Sequence, residues 1–218
     1  MRPDVLQSPL ICVLDDDEGV RGALDSLLRS AGFEVRAFAA PEEFLACSEV
    51  DVASCLILDI RLGDADGLEL QQELLASEVP LPVILITGHG DIPMTVQAMK
   101  AGAVNFLAKP IAEDALLAAV NEAVARDVRR RAREEEHASA RERYDALTPR
   151  EREVMALVTA GLMNKQVAAR LELSEITVKI HRGNVMRKLK AESLADLVRM
   201  AEELGAREPS VSRYHTRN

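Results

Sequence analysis

The chain lacks tryptophan and has only two tyrosines and four phenylalanines, so its cores must be built from aliphatic side chains. No stretch approaches the roughly 18 uncharged apolar residues of a membrane span, and the N-terminus lacks the apolar segment of a signal peptide. The three cysteines are odd in number, and Cys12 and Cys55 lie in apolar runs, which favours reduced thiols over a disulfide framework. We therefore expect a cytoplasmic protein that makes no contact with a membrane.

Charge is unevenly distributed along the chain. The net charge is -9 overall, but residues 1–120 carry a net -13 and residues 121–218 a net +4. Between Lys165 and Lys190, seven basic residues stand against two acidic ones. This division predicts two separate roles, the second of them on nucleic acid.

Four short apolar runs in the first half are each followed by polar residues suited to chemistry. The runs are 10–14, 55–58, 83–86 and 104–107, and the residues that follow them are Asp15-Asp16, Asp59, Thr87 and Lys109-Pro110. Such runs predict buried parallel strands. The segments of helical period are 18–31, 41–47, 65–76, 91–101 and 112 onward. Alternation of this kind predicts a flavodoxin-like α/β fold with five strands and five helices, in which all four residue sets meet at the carboxyl edge of the sheet.

The remaining organisation follows from composition. We predict a first domain over 8–122, a helical linker over 123–144, a four-helix domain over 145–205 and a flexible tail over 206–218. The linker is rich in Ala, Arg and Glu, and its i,i+4 pairs Arg130/Glu134 and Arg131/Glu135 favour a solvent-exposed helix, although its charge density leaves a disordered linker as the alternative. The predicted N-cap residues of the first three helices are Thr148, Asn164 and Ser174, and Ser193 is expected at the start of the fourth.

The acidic residues of the first domain suit a hard divalent cation, Mg²⁺ or Mn²⁺. Asp16 and Asp59 are expected as direct ligands, Asp15 as a ligand either directly or through water, and Arg61 through its backbone carbonyl. Without a cation, two carboxylates about 4 Å apart repel each other by roughly 4 kcal/mol at an effective dielectric constant near 20. The cation is therefore needed for a phosphoryl group to bind there.

A carboxylate beside such a metal can also act as a nucleophile and form an aspartyl-phosphate. Phosphoryl transfer requires mainly positioning and charge neutralisation. Lys109 can neutralise one phosphoryl oxygen, and Thr87 can donate a hydrogen bond to another.

Residues 8–122 resemble the receiver domain of two-component response regulators, especially receivers of the FixJ type. The resemblance rests on Asp15-Asp16, Ile57-Leu58-Asp59, Thr87-Gly88, Phe106, Lys109-Pro110 and the segment 86–103. It implies that Asp59 accepts phosphate from a sensor histidine kinase, that Thr87 then moves toward the phosphoryl group, and that Phe106 rotates inward behind it. Phosphorylation would promote homodimerisation.

The chain departs from this pattern at Gly63, where such receivers usually carry proline. Glycine frees the loop beside Asp59, so we expect looser positioning there without loss of the chemistry. The resemblance also suggests that the side chains of Arg61 and His89 tune the access of water to the acyl phosphate.

A basic helix over 175–190 follows another helix through a tight turn, as in helix-turn-helix proteins. Val178, Val185 and Leu189 form its predicted buried stripe. Segments 147–154, 161–168 and 177–182 resemble the LuxR/NarL-type helix-turn-helix. The resemblance implies major-groove readout by Lys179, Ile180 and Gly183. It implies phosphate contacts by Lys165, Thr177, His181, Arg182 and Arg187.

These features predict a transcriptional response regulator of the FixJ/NarL family that binds double-stranded promoter DNA, is not an enzyme, and has RNA polymerase as a further candidate partner. One alternative is a magnesium-dependent aspartyl phosphatase, but such enzymes usually place a second acid two residues after the nucleophile, where this chain has Arg61. The other alternative is an adaptor that signals by protein contact without DNA, which the basic helix disfavours.

Overall fold

Strands and helices alternate along the first half of the chain, and helices alone follow. The computed structural model describes residues 8–63, 65–77, 81–88 and 92–207. The contacts divide the chain into two compact units, with the division between Arg131 and Ala132. None of the helices in the described ranges is both long and apolar enough to cross a membrane.

The first unit contains seven strands and five helices among its described residues. They are β1 (Leu10–Leu14), α1 (Glu18–Ser30), β2 (Glu34–Phe38), α2 (Pro41–Leu45), β3 (Cys55–Asp59), β4 (Arg61–Leu62), β5 (Ala65–Asp66), α3 (Gly67–Ala76), β6 (Val83–Thr87), α4 (Ile92–Lys100), β7 (Asn105–Ala108) and the first part of α5 (Glu113–Asp145), with a 3₁₀ helix over Ser48–Val52. Five parallel strands form one sheet in the order β2-β1-β3-β6-β7. This order confirms the predicted flavodoxin-like fold.

Alternate side chains of the strands pack against helices on opposite faces of the sheet. Ile11 and Val13 face a cluster formed with α1 and α5, which includes Leu28. Cys12 and Leu14 face a second cluster, formed with α2, α3 and α4. Burial of both faces explains why the strands are continuous apolar runs.

The predicted free thiols agree with the structure. Cys12, Cys47 and Cys55 are all unpaired, and Cys12 and Cys55 are buried. Burial raises the pKa of the Cys12 thiol to about 12, so this group stays protonated at neutral pH.

The sequence did not predict the short antiparallel pair of β4 and β5. Strand β5 occupies the first two residues of the segment that was expected to be helical from residue 65. Helix α3 therefore begins at Gly67, after the N-cap Asp66. The pair lies directly after β3 and so belongs to the loop beside Asp59.

The second unit contains the rest of α5 and four shorter helices: α6 (Pro149–Thr159), α7 (Asn164–Leu171), α8 (Glu175–Leu189) and α9 (Leu194–Glu203). Thr148 and Ser174 are N-caps, as predicted, and Ser193, expected at the start of α9, is its N-cap. Asn164 is not an N-cap, because it is the first residue of α7, and the N-cap position belongs to Met163. The side chain of Gln166 instead accepts a hydrogen bond from the Met163 amide, at 2.9 Å.

The two ends of the predicted linker pack against different units. Ala123 and Asp127 are buried in the first unit, and Ala140 is buried in the second. Arg131 bonds Asp127, one turn before it, rather than Glu135, and also donates to the carbonyl of Ala53. The longest run of exposed residues in the predicted linker is 132–138, so the continuously exposed stretch is shorter than predicted.

Candidate metal centre and nucleic-acid interface

Three carboxylates meet where β1 and β3 end side by side. Asp15 and Asp16 follow β1, Asp59 ends β3, and one oxygen from each lies within 4.8 Å of the others. Asp15 is fully buried, Asp59 is 5% exposed and Asp16 is exposed, so the cluster opens toward solvent through Asp16. This is the point at which the strand order reverses, where doubly wound sheets bind ligands.

Lys109 reaches this cluster from the end of β7. Its Nζ lies 2.7 Å from Asp15 Oδ2 and 2.5 Å from Asp59 Oδ2. Desolvation lowers the pKa of the Lys109 ammonium, but the hydrogen bonds to Asp15 and Asp59 outweigh it, so the net direction is upward. Burial raises the pKa of Asp15, and the hydrogen bond from Lys109 offsets part of this effect. Lys109 thus remains a cation and neutralises part of the carboxylate charge.

Backbone amides hold the second oxygen of each buried carboxylate. The Asp17 amide donates to Asp15 Oδ1 at 2.9 Å, and the Arg61 amide donates to Asp59 Oδ1 at 3.1 Å. The Gly63 amide donates to Asp16 Oδ2 at 3.1 Å. Asp15 and Asp59 are therefore oriented by amides of their own loops, and Asp16 by an amide of the loop that follows β3.

Gly63 has a role in this loop that proline could not fill. Its φ is +60°, and its N–H makes the bond to Asp16. Proline has φ fixed near −65° and no N–H. The looser positioning expected at Gly63 stays a prediction.

Gly67 is a site residue that the sequence did not predict. A Cβ at this position would lie 2.2 Å from the carbonyl oxygen of Asp59, which no side chain tolerates. The Gly67 amide also donates to the carbonyl of Ile60 at 2.8 Å. Glycine thus allows the start of α3 to lie against the end of β3. The sequence signal that could have indicated this contact is a glycine directly after Asp66, at the start of a helix.

Thr87 and Phe106 lie on the two strands beyond Asp59. Thr87 ends β6 and is 1% exposed, and Asp59 pairs with Ile86 in the adjacent position. Phe106 lies on β7 opposite Leu85, is half-buried, and packs against the cluster shared with α3 and α4. His89 lies outside the described residues.

The geometry of the acidic cluster fits a magnesium ion. Oxygen ligands at about 2.1 Å from Mg²⁺ lie at most about 4.2 Å from one another, so oxygens within 4.8 Å need only small side-chain movements. All the donors are hard oxygens, as Mg²⁺ and Mn²⁺ require. Ligation by the Arg61 carbonyl stays a prediction.

Helix α8 presents an exposed face opposite its buried stripe. Val178, Val185 and Leu189 are fully buried, as predicted. The candidate DNA-contacting residues that are exposed are Lys165, Lys179, Ile180, Gly183 and Arg187, and those that are half-buried are Thr177, His181 and Arg182.

Two of these side chains contact neighbouring residues, and a third has a buried nitrogen without a hydrogen-bond partner in the described part of the chain. Thr177 shares a hydrogen bond with the Ser174 hydroxyl at 2.8 Å. Arg182 lies 3.5 Å from Asn164 Oδ1, a long contact that leaves the guanidinium available. Among the described residues, His181 Nδ1 is buried and has no hydrogen-bond partner.

An ion pair between a buried carboxylate and a half-buried lysine connects two helices of the four-helix unit. Glu151 is 3% exposed and accepts a hydrogen bond from Lys188 at 2.7 Å. Its carboxylate also accepts from the Thr148 amide, which completes the capping box of α6. The pair joins α6 to the last turn of α8.

Comparisons with known proteins cover both units. The family model for the response regulator receiver domain matches residues 11–121, and the model for bacterial regulatory proteins of the luxR family matches residues 145–201. Nodulation protein W of Bradyrhizobium diazoefficiens is 51% identical over 207 residues, which cover 95% of this chain and 89% of that protein. The transcriptional regulatory protein FixJ of the same species is 41% identical over 196 residues, covering 89% and 95%. The solved structure of the response regulator StyR has a TM-score of 0.78 at 46% identity, and covers 90% of this chain and 99% of that chain.

Proposed function

Because this chain belongs to the response regulators that join a receiver domain to a LuxR-type DNA-binding domain, it is a DNA-binding transcriptional regulator, and we propose that phosphorylation of Asp59 controls it. The phosphate donor is a sensor histidine kinase. The observation that carries the proposal is the contact of Lys109 with Asp59 and Asp15 within a cluster of three carboxylates.

The proposed reaction moves a phosphoryl group from a phosphohistidine nitrogen to a carboxylate oxygen of Asp59. A P–O bond forms while the P–N bond breaks, and the departing imidazole keeps the electron pair of that bond. The Lys109 ammonium, already 2.5 Å from Asp59 Oδ2, would bind one phosphoryl oxygen. The Thr87 hydroxyl, at the end of the adjacent strand, would donate a hydrogen bond to another.

The acidic cluster supports a requirement for a divalent cation. Asp15, Asp16 and Asp59, together with the backbone carbonyl of Arg61, would hold Mg²⁺ or Mn²⁺. When bound, the cation would neutralise negative charge on the carboxylates and the phosphoryl oxygens. Because Asp16 is exposed, the cation and the phosphoryl group could both reach the cluster from solvent on this side.

Phosphorylation adds about −1.5 to −2 charge beside Lys109 and Thr87. Movement of Thr87 and inward rotation of Phe106 would change the surface formed by α4, β7 and the start of α5. Val96 and Met99 on α4 are 46% and 45% exposed, which supports this surface as an apolar contact between two copies of the chain. Dimerisation would pair two basic helices on a two-fold DNA site, where RNA polymerase is the further partner expected.

The test is Asp59→Asn in the full chain, with phosphoramidate as the phosphate donor and Mg²⁺ present. The native chain should gain one phosphate by intact mass, sediment as a dimer and bind promoter DNA more tightly, and chelation of the metal should prevent all three. Asp59→Asn should do none of these. Asp25→Asn, which changes a carboxylate on α1 that pairs with Arg29, should behave as the native chain. The proposal is wrong if Asp59→Asn is still phosphorylated, or if the phosphorylated native chain changes neither oligomeric state nor DNA affinity.

A further inference from the structure

Two isoleucines on the DNA-binding helix α8 lie in solvent. Ile176 is 74% exposed, which is the largest exposed fraction among the large hydrophobic side chains of the described residues, and Ile180 is 58% exposed. They are four residues apart and therefore lie on the same side of the helix, one turn from each other. Single exposed apolar residues are ordinary, but two on successive turns form a small apolar patch.

This patch is not part of the core of the four-helix unit. The helix packs through Val178, Val185 and Leu189, which are fully buried. Val178 lies two residues from both Ile176 and Ile180, and at 3.6 residues per turn this places it about 200° around the helix from each of them. Packing within the unit therefore does not account for the two isoleucines.

The patch is open to solvent, and both positive side chains and the acidic Glu175 lie near it. Ile176, Ile180, Gly183 and Arg187 form one exposed stripe along α8. A Cβ added at Gly183 would meet no atom within 4 Å, so no side chain closes off the middle of the stripe. Lys179 is exposed beside the patch. Positive side chains attract DNA phosphates, while a recognition helix turns its N-terminal residues toward base edges, and Ile176 is the second residue of α8.

We propose that Ile176, together with Ile180, recognises the 5-methyl groups of thymines in the major groove. Among the groups that unmodified bases present there, the thymine methyl is the apolar one, and the others donate or accept hydrogen bonds. Isoleucines cannot make those hydrogen bonds, and burial against the methyl is the contact from which they gain most free energy. This inference rests on the DNA-binding function proposed above and names the bases that the N-terminal half of α8 selects.

The spacing of the two side chains limits the expected site. Four residues of α-helix rise about 6 Å, and successive base pairs are about 3.4 Å apart along the DNA axis. The two methyl groups should therefore lie about two base-pair steps apart in each half-site. We expect half-sites selected from random DNA by the phosphorylated full chain to contain thymines at this spacing.

The decisive experiment deletes the methyl groups alone. In the selected site, each thymine is replaced in turn by deoxyuridine, and the dissociation constant is measured for the native chain and for Ile176→Ser. For the native chain, deoxyuridine at a contacted position should weaken binding about fourfold per methyl, which corresponds to burial of one methyl-sized group. For Ile176→Ser, deoxyuridine should no longer weaken binding at the thymine that Ile176 contacts, whereas the effect at the thymine contacted by Ile180 should persist.

Two further variants distinguish loss of the methyl contact from a general disruption of the protein. Ile176→Val keeps an apolar branched side chain and should retain most of the discrimination between thymine and deoxyuridine. Val128→Ser changes a side chain of α5 that is likewise 58% exposed, and should bind both DNA sites as the native chain does. Because Ile176 is exposed, Ile176→Ser should unfold at the temperature of the native chain.

Different outcomes would contradict this inference and the proposed DNA-binding function. If deoxyuridine weakens binding by Ile176→Ser as much as binding by the native chain at every contacted thymine, Ile176 does not recognise a methyl group and the inference is wrong. It is also wrong if Ile176→Ser alters the oligomeric state while the thymine preference persists, because the patch then contacts protein. If the phosphorylated chain selects no DNA site at all, the proposed function fails as well.

Discussion

At the scale of single residues, Gly67 lies where the start of α3 touches the end of β3. A Cβ there would clash with the carbonyl oxygen of Asp59, a backbone atom that cannot move without moving the proposed phosphoacceptor. We expect Gly67→Ala to lower the free energy of unfolding by about 2–3 kcal/mol, as overpacking of a tight contact does. Phosphorylation by phosphoramidate should also slow.

The matched control is Gly22→Ala, in the exposed interior of α1. A Cβ at Gly22 would meet nothing within 4 Å. Alanine favours helix over glycine by about 1 kcal/mol, so this variant should be slightly more stable than the native chain. Urea unfolding followed by circular dichroism measures both, and equal effects of the two substitutions would contradict the assigned contact.

Lys109 provides a second residue-scale prediction. Its ammonium bonds two carboxylates, and its side chain is 21% exposed. Lys109→Gln should destabilise the metal-free chain by about 2 kcal/mol, less than the ~3–5 kcal/mol for a fully buried pair, because water reaches the site.

Added Mg²⁺ should stabilise Lys109→Gln more than the native chain, since the three carboxylates then have no ammonium to offset their repulsion. Thermal unfolding with and without Mg²⁺ measures this difference. Lys100→Gln, at the exposed end of α4, should respond to Mg²⁺ as the native chain does. If Mg²⁺ stabilised Lys109→Gln and the native chain equally, the Lys109 ammonium would not offset the repulsion between the three carboxylates.

At the scale of elements, the bond between Glu151 and Lys188 joins α6 to α8 and should make the second unit sensitive to acid. Desolvation raises the pKa of Glu151, but the hydrogen bonds from Lys188 and Thr148 outweigh it, so the pKa in the folded state lies below the usual 4.5. A folded-state pKa below the unfolded value stabilises the fold above the unfolded pKa, and this stabilisation is lost as pH falls through the folded pKa.

We therefore expect the free energy of unfolding of the second unit to fall below about pH 4.5, and to fall less steeply in Glu151→Gln. Tyrosine fluorescence can follow this unit, because both tyrosines, Tyr144 and Tyr214, lie in the second half of the chain. Glu153→Gln, whose carboxylate pairs with Arg150 at the surface, should retain the native pH dependence. Parallel pH profiles for the native chain and Glu151→Gln would count against this role.

At the scale of the whole molecule, charge separates the two units and predicts a strong effect of salt on DNA binding. Residues 1–120 carry a net -13, whereas 121–218 carry +4. The cationic candidates for phosphate contact are Lys165, Arg182 and Arg187. If each meets one phosphate in a dimer, the logarithm of affinity should fall against the logarithm of salt with a slope of about −5.

Removal of one such contact should change the slope itself. Arg187→Gln should reduce the magnitude of the slope by about 2 in the dimer, one unit for each copy. Arg29→Gln, in the first unit, should leave the slope unchanged. Titrations of DNA binding between low and moderate salt measure both, and an unchanged slope for Arg187→Gln would remove this residue from the interface.

The sequence by itself determined the features that depend on local pattern. Continuous apolar runs specify buried parallel strands, and Thr148, Ser174 and Ser193 specify helix starts through side-chain bonds to amides only three residues away. The ends of adjacent strands meet at one edge of a sheet, so the order of residues along the chain was enough to predict that Asp15 and Asp59 would converge.

Only the tertiary structure decided which groups bond each other within that frame. The bond from Arg131 to the carbonyl of Ala53 and the pair of Glu151 with Lys188 join residues that local pattern leaves unrelated. Convergence at the sheet edge predicted that Lys109 and Asp15 would be near each other, but not that they would bond directly. Asn164 shows the same limit. Its residue type predicted an N-cap, but α7 begins one residue earlier than expected and its N-cap is Met163. Such contacts depend on where packing places whole helices and strands. The spacing of two residues along the chain does not determine the distance between them in the folded protein.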